Sequence, residues 1–245
     1  MNPVIDTLMS HRSIRKFTAA PISDETLTLL LRAGQAASSS SFIQAYSIID
    51  IQDPQIRAEL QACTGNQAWV GQAARFLVFC ADFKRLKQAA QHNGVSPDLG
   101  FTEQLLLGSI DAALVGQNVL VAAESLGLGG VFIGAIRNQP ERVAELLKLP
   151  EQVYAVFGMC LGYPDQDPGL KPRLPLEQVL HTNHYDEQLY IKQADVYDKI
   201  TRDYYRERTG GQVTSGWSQQ MAEKFEAEKR PHMLKFLQAK GFAQR

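Results

Sequence analysis

The longest apolar pattern in the chain runs from Thr102 to Leu126. Apolar residues fall on almost every face of a helix drawn over this range, which is typical of a helix buried on all sides. We therefore predict a core helix. Gly127 is placed to form a left-handed cap at its end, and Gly129 and Gly130 lead into an apolar strand over 131–134.

Shorter patterns predict the elements around this helix. Ser23, followed by two acidic residues and a run of leucines, predicts a capped helix that ends before the serines at 38–41. Runs rich in β-branched and aromatic residues predict strands over 46–51, 75–80 and 154–161, and a further helix covers 56–63. Helices and strands do not alternate as βαβ units, and no GxGxxG follows an early strand. The pattern therefore favours an α+β fold over a Rossmann dinucleotide fold.

Composition limits the organisation and the partners. The 245 residues are 44% hydrophobic and 21% charged, and no Pro/Gly/Ser-rich linker divides them, which favours a single domain. The formal net charge is only -1. We therefore expect no nucleic-acid partner, because nucleic acids are bound through concentrated basic surfaces.

Charged residues within the apolar runs indicate in which cellular compartment the protein is expected. Charged residues break both the N-terminal segment and the long helix pattern, so we expect no signal peptide, no membrane association and a cytoplasmic location. Cys63, Cys80 and Cys160 are widely spaced in apolar surroundings, which predicts buried, reduced thiols. The five histidines form no ligand cluster, so we expect no metal site.

The segment from His11 to Phe17 is the first candidate for chemistry. It reads HRSIRKF and places histidine, serine, lysine and two arginines within a few positions. Guanidinium groups present donors in a planar fork that matches phosphate oxygens, so this composition suits an anion site. Taken alone, the segment is more typical of a solvated basic face beside a first helix.

Further segments follow it in a particular order: SSSSFIQ at 38–44, Gln67, EQLLLG at 103–108, AESLGLGG at 123–130 and LKPRLP at 170–175. Together they resemble the flavin-dependent nitroreductase family. Within that family the chain is most similar to the larger oxygen-insensitive NADPH nitroreductases, which are related to NADPH-flavin reductases and chromate reductases. The resemblance runs from about Ile5 to Phe242.

The resemblance implies a nitroreductase-like α+β fold. In that fold a central, mainly antiparallel sheet is surrounded by helices, and two chains form an intertwined homodimer with flavins at the interface. Residues 1–245 would form a single FMN-binding domain with a C-terminal helical extension over about 187–245. A partner subunit would cover the all-apolar helix, whereas a monomer with a thick core is an alternative that one chain leaves open.

The resemblance also implies which residues bind the FMN cofactor. They are His11, Arg12, Ser13, Arg15, Ser39, Gln67, Phe132, Ile133, Gly134, Ala135, Lys171 and Arg173. Arg15 would lie at the pyrimidine edge of the flavin, where it stabilises the reduced anion. Lys171 and Arg173 would hold the phosphate, and His11 and Ser13 would complete that phosphate site. Ser39 would come from the partner chain.

Three of these assignments depend on the resemblance or depart from it. Without it, 171–173 is typical of an exposed basic turn and 38–41 of a flexible polar linker. Ala135 stands where relatives commonly have a second glycine after Gly134. If this position needs a positive φ or a close approach to the ring, alanine costs about 1 kcal/mol. We expect the site to survive that cost.

The resemblance implies further contacts to substrates. Ser41, Phe42 and Arg230 would contact acceptors stacked on the flavin, and Arg208 would recognise the 2′-phosphate of NADPH. Taken alone, these residues fit a loop hydroxyl, a core aromatic, a surface charge and a cation at a helix end, respectively.

The implied reaction is ping-pong. NADPH reduces the FMN, and a nitroaromatic compound, a quinone, chromate or free flavin then takes up electrons by two-electron steps. No catalytic acid, base or nucleophile is expected, because the flavin carries the chemistry. The alternative is a flavin-binding protein, or a flavin reductase that supplies reduced flavin to a partner.

Overall fold

Four strands form one antiparallel sheet in the chain, which this computed structural model describes over residues 2–245. They are β1 (Tyr46–Asp50), β2 (Arg75–Asp82), β3 (Gly129–Ile133) and β4 (Val153–Gly162). Their order across the sheet is β1-β2-β4-β3, and each neighbouring pair is antiparallel. The strands predicted from the sequence are therefore confirmed, as is the mainly antiparallel sheet.

The described helices are distributed along the whole chain. They are α1 (Pro3–Met9), α2 (Asp24–Gln35), α3 (Pro54–Cys63), α4 (Ala68–Gln72), α5 (Lys84–His92), α6 (Thr102–Ser125), α7 (Pro140–Leu146), α8 (Gln188–Ile191), α9 (Ala194–Arg208), α10 (Trp217–Phe225) and α11 (Met233–Ala239). Short 3-10 helices cover Ser40–Phe42, Gly134–Asn138 and Leu176–Gln178.

Two helix ends carry the caps that the sequence predicts. The Ser23 hydroxyl accepts a hydrogen bond from the Thr26 backbone N–H at 3.1 Å and so begins α2. Gly127 follows α6 with a φ of +78°, a conformation that favours glycine. The LGLGG sequence therefore ends a helix and leads directly into β3.

The core lies on both faces of the sheet. Alternate residues of β2 point to opposite faces, so Leu77 and Phe79 pack toward α2 and α6, whereas Phe76 and Val78 pack toward α3, α7 and α11. β2 is buried at every position after Arg75 because helices cover both faces. This two-sided burial explains why its sequence reads as a continuous apolar run.

The long helix α6 is only partly buried. By length and composition alone it is the one helix in the described residues that could cross a membrane, but here it packs against α2 and β2. Leu106, Ile110 and Leu114 follow each other at four-residue spacing and are 50%, 53% and 41% exposed. The prediction of burial on all sides is therefore wrong for the single chain, since its own elements cover one side of the helix.

The three cysteines are buried and free, as predicted. Burial raises the pKa of both Cys80 and Cys160 to about 12, because a thiolate there would lose its hydration. Burial also raises the pKa of Cys63. Thiols of this kind are protonated and unreactive in the native state.

The structure divides into two compact units. The first contains the sheet and comprises the chain up to Asp167 together with Arg230–Arg245, and the second is Pro168–Lys229. Within the second unit, α9 and α10 pack together around buried Tyr197 and Thr201. The predicted extension over 187–245 therefore includes most of the second unit and a tail that groups with the first. The prediction of a single domain remains a prediction.

Candidate functional site

The basic segment at 11–15 lies beside the start of β3. Ile14 is buried, and its backbone N–H donates to the Gly130 carbonyl at 3.0 Å. A side chain at Gly129 would meet Ile14 at 2.5 Å, so the two segments are in close contact. The buried isoleucine thus anchors a segment whose other side chains are partly or fully exposed. It is the feature that fixes these polar groups in place.

Two acidic groups face this segment. His11 Nδ1 lies 2.6 Å from Glu124 Oε1, and Arg12 Nε lies 3.0 Å from Asp167 Oδ1. Glu124 Oε2 is buried without a hydrogen-bond partner. A cavity of about 140 Å³ opens here between Arg12, Glu124 and the glycines that follow α6. His11 and Arg12 are therefore held by acidic partners, whereas Arg15 and Lys16 remain exposed. Ser13, the residue after Arg12, is half-buried.

Arg15 lies against an aromatic ring that the sequence analysis did not single out. Its side chain is exposed, and its guanidinium carbon is 5.7 Å from the centre of the Trp69 ring. Gln67 is the N-terminal cap residue of α4, two residues before this tryptophan. Gln67 Oε1 and Trp69 Nε1 are both buried without a hydrogen-bond partner. Unpaired buried polar atoms are costly, so this pair points to a bound ligand.

The end of β3 carries the predicted strand residues. Phe132 is partly exposed and packs edge to face on Phe157 at 5.0 Å between ring centres, whereas Ile133 is buried. Gly134 and Ala135 open the 3-10 helix that follows. Ala135 has no positive φ. The cost that a positive φ would impose on alanine at this position therefore does not arise, and the effect of a close approach to the ring stays a prediction.

Arg230 joins the same region of the first unit. Its Nε donates to Asn138 Oδ1 at 2.9 Å, and His232 Nε2 lies 3.0 Å from the Arg137 carbonyl oxygen. Burial lowers the pKa of Arg137, and the nearby positive charge of Arg230 lowers it further. Arg230 is thus part of a basic cluster beyond β3 and not an isolated surface charge.

The serine run forms an ordered turn. Ser40–Phe42 is a 3-10 helix, and Ser41 and Phe42 have φ values of 47° and 58°. Ser39 Oγ donates to the carboxylate of Asp111 at 2.8 Å. Phe42 is 80% exposed. Phe42 is therefore not a core aromatic of the single chain, and the serine run has a defined turn bonded to Asp111.

The second unit holds the remaining predicted residues. Lys171 and Arg173 are exposed, and Lys171 Nζ lies 5.2 Å from the centre of the Tyr205 ring. Tyr197 OH donates to the Pro172 carbonyl at 3.1 Å, which fixes the segment between the two cations. Arg208 ends α9 and donates to Tyr204 OH at 2.7 Å.

The structure thus brings several predicted groups together around β3. The segment at 11–15, the strand end at 132–135, α4 with Gln67, and Arg230 all belong to this part of the first unit. In the described part of the chain, no hydrogen bond or ring contact joins the 39–45 loop to the 11–15 segment. The resemblance places Ser39 in the site of the partner chain, and this assignment remains a prediction.

Sequence reasoning missed four residues with prominent contacts: Trp69, Asp111, Glu124 and Arg137. Asp111 had a visible signal, since it is a charge within an apolar helix. Glu124 had a weaker signal, because it lies inside the AESLGLGG segment. Nothing in the local sequence marks Trp69 as the ring beneath Arg15, because that contact joins distant parts of the chain.

The fold and the site define an α+β protein in which arginines and unpaired buried polar atoms lie on the 11–15 segment, on α4 and after the end of β3. Two family models match the chain. The nitroreductase family matches residues 8–96 and 105–163, and the C-terminal domain of that family matches 171–245. The chain belongs to the nitroreductase family.

The chain is similar to individual relatives over its full length. The chain is 49% identical to the NADPH-flavin oxidoreductase of Vibrio harveyi and 48% identical to the oxygen-insensitive NADPH nitroreductase of Salmonella typhimurium, with 100% of both sequences covered each time. The crystal structure of nitroreductase A from Vibrio parahaemolyticus matches with a TM-score of 0.93 at 45% identity, again over 100% of both chains. The predicted family, fold and oxidoreductase class are confirmed.

Proposed function

We propose that the protein is an FMN-dependent oxidoreductase that uses NADPH to reduce nitroaromatic compounds by two-electron steps. Quinones, chromate and free flavin are further acceptors. The family and the names of full-length relatives support this activity. The observation in the structure that carries it is the group around Arg15, where Gln67 and Trp69 each bury an unpaired polar atom.

That group fits an isoalloxazine ring. The ring offers both hydrogen-bond donors and acceptors along its polar edge, so it can pair with the acceptor Gln67 Oε1 and the donor Trp69 Nε1. The Arg15 guanidinium adds a positive charge that stabilises the electron-rich form of the ring. Bound FMN supplies the hydride chemistry, and the chain supplies binding, orientation and charge. Phe132 to Ala135 would form the adjoining backbone.

The phosphate of FMN is assigned to the basic segments. Lys171 and Arg173 would supply charge-assisted hydrogen bonds, and His11, oriented by its contact with Glu124, would complete the set with Arg12 and Ser13. In this assignment Arg208 reads the 2′-phosphate of NADPH. Ser41, Phe42 and Arg230 contact the acceptor.

The assembly is a homodimer in this proposal. The exposed apolar residues of α6 and of the neighbouring α1 are its main support, because apolar surface of this kind is typical of a subunit interface. The buried thiols without disulfides support a cytoplasmic location.

The test begins with the purified protein. We expect a flavin absorbance spectrum, release of FMN and not FAD on denaturation, and NADPH oxidation that accelerates when a nitroaromatic acceptor is added. Arg173→Ala should weaken FMN retention about tenfold or more, since a charge-assisted contact contributes about 1.5–3 kcal/mol. Arg202→Ala, an exposed arginine of α9, is the matched control.

The outcomes separate the alternatives. A protein that purifies with FMN and oxidises NADPH only in the presence of free flavin is the flavin reductase of the alternative proposal. A protein without bound or bindable FMN overturns both. If wild type and Arg173→Ala retain FMN equally, Arg173 does not hold the phosphate. That result would not contradict the proposed activity.

A further inference from the structure

The loop Ser39–Ala45 is held by one buried carboxylate. Asp111 lies on α6 and is 1% exposed. Its Oδ2 accepts hydrogen bonds from Ser39 Oγ at 2.8 Å and from the Ala45 backbone N–H at 2.9 Å. Its Oδ1 accepts a longer one from the Ser40 backbone N–H at 3.4 Å. The carboxylate therefore contacts both ends of the loop.

The loop has a backbone that needs such support. Ser41, Phe42 and Gln44 have φ values of 47°, 58° and 51°. The left-handed conformation costs free energy in residues other than glycine, and it persists where the surroundings enforce it. Phe42, within this strained turn, is 80% exposed. A strained backbone that presents an apolar ring to solvent makes this ring a candidate for contact with a ligand.

The same carboxylate determines what Ser39 can do. The Ser39 hydroxyl gives its only hydrogen to Asp111 and accepts a hydrogen bond from the Gln44 backbone N–H at 2.7 Å. One lone pair of the oxygen is left. Ser39 can therefore only accept a hydrogen bond from a ligand, and it is held in one orientation while it does so.

We propose that Asp111 is a positioning residue that holds the Ser39–Ala45 loop so that Ser41 and Phe42 are presented to the electron acceptor. The proposal rests on the function proposed above, because the acceptor contacts are part of that function. Asp111 acts through the loop and touches neither cofactor nor acceptor. A carboxylate that only stabilised the fold would produce no change specific to the acceptor step.

Two substitutions grade the loss of contacts. Asp111→Ala removes all the hydrogen bonds to the loop. Asp111→Asn keeps an amide oxygen that can replace Oδ2, so the contacts to Ser39 and Ala45 survive, while an amide N–H faces the Ser40 N–H.

Gln104→Ala is the matched control. Gln104 is buried on the same helix, seven residues earlier, and its side-chain oxygen accepts hydrogen bonds from the backbone N–H groups of Gly100 and Phe101. It therefore clamps a different loop in the same way.

The measurements are made on the FMN-loaded protein with 4-nitroacetophenone as the acceptor. We expect Asp111→Ala to raise the KM for this acceptor at least about tenfold, while the anaerobic rate at which NADPH reduces the enzyme stays within about threefold of wild type. Asp111→Asn should keep the acceptor KM much closer to that of wild type than Asp111→Ala does. Gln104→Ala should leave the acceptor KM within about twofold, whatever it does to the Tm.

Hydrogen exchange of the loop gives a readout that does not depend on activity. We expect Asp111→Ala to accelerate exchange of the Gln44 and Ala45 amides, and Asp111→Asn to accelerate mainly that of Ser40. If Asp111→Ala does not fold, exchange and acceptor KM in Asp111→Asn decide the question, with faster Ser40 exchange and a KM raised about twofold to threefold expected.

Several results would overturn the proposal. These are an unchanged acceptor KM in the folded Asp111 variants, an equal rise in Gln104→Ala, or unchanged exchange of the loop. A wild-type protein that reduces no acceptor refutes the proposed function instead. Exchange of residues 40–45 then shows separately whether Asp111 holds the loop.

Discussion

The residues proposed to contact ligands are held by other side chains of the protein, and sequence patterns do not specify which ones. The basic character of 11–15 and the polar character of 38–44 could be predicted because they are properties of composition. That Arg15 lies over Trp69, or that Ser39 donates to Asp111, depends on contacts between residues far apart in the chain. A charge inside an apolar helix shows that a partner exists without identifying it.

Arg208 offers a test at this scale. Its guanidinium at the end of α9 contacts Tyr204, so it is held near one position before any nucleotide arrives. We expect Arg208→Ala to lower kcat/KM for NADPH about tenfold or more and to leave NADH nearly unchanged, because a charge-assisted phosphate contact contributes about 1.5–3 kcal/mol.

The control for this test is Arg206→Ala, which removes a cation from the same last turn of α9. It should leave the ratio of the two kcat/KM values near that of wild type. If Arg208→Ala lowers kcat/KM for both nucleotides equally, the arginine does not read the 2′-phosphate and only stabilises the helix end.

At the scale of elements, sequence patterns predicted all four strands and, among the individual described helices, α2, α3 and α6. β2 and β4 were predicted because burial on both faces gives continuous apolar runs, and α2 because Ser23 caps it. The 3-10 turn at Ser40–Phe42 was not predicted. Its left-handed residues are stabilised by a distant carboxylate, whereas local propensity favours a loop.

The pairing of β3 with β4 depends on a glycine. A side chain at Gly130 would lie 2.8 Å from the Cys160 carbonyl oxygen and equally close to Leu120 and Leu161. We expect Gly130→Ala to destabilise the fold by about 1–3 kcal/mol, as overpacking against backbone does, with the free energy of unfolding measured in urea.

Gly134→Ala is the comparison within the same stretch of chain. A Cβ there would meet only the Arg137 guanidinium, at an ordinary van der Waals distance of 3.4 Å, and the backbone has no positive φ. Its free energy of unfolding should stay within about 0.5 kcal/mol of wild type. A similar loss in both variants would show that crowding at Gly130 is not the cause.

For the whole molecule, the sequence predicted an α6 buried on all sides. Apolar positions in a sequence do not show whether the same chain or a partner subunit covers them. In the structure, Leu106, Ile110 and Leu114 are left exposed by the elements of their own chain. We therefore expect a homodimer. Ile110→Asp should shift the mass in light scattering from dimer toward monomer and weaken FMN retention, since a charge in an apolar interface costs several kcal/mol.

Val95→Asp controls for the addition of a charge, because Val95 is similarly exposed but lies outside α6 and α1. It should remain dimeric. A monomeric wild type at micromolar concentration that still binds FMN would contradict the assembly.

The buried thiols of Cys80 and Cys160 can be used to measure how often the central sheet opens. Because Cys80 lies in central β2 and Cys160 in central β4, and their pKa values are raised to about 12, a thiol reagent can react with them only after the sheet separates. The labelling rate of these cysteines at neutral pH therefore measures how often the core opens, without any added probe. Comparison of that rate with and without FMN would report how strongly the cofactor slows the opening of the sheet.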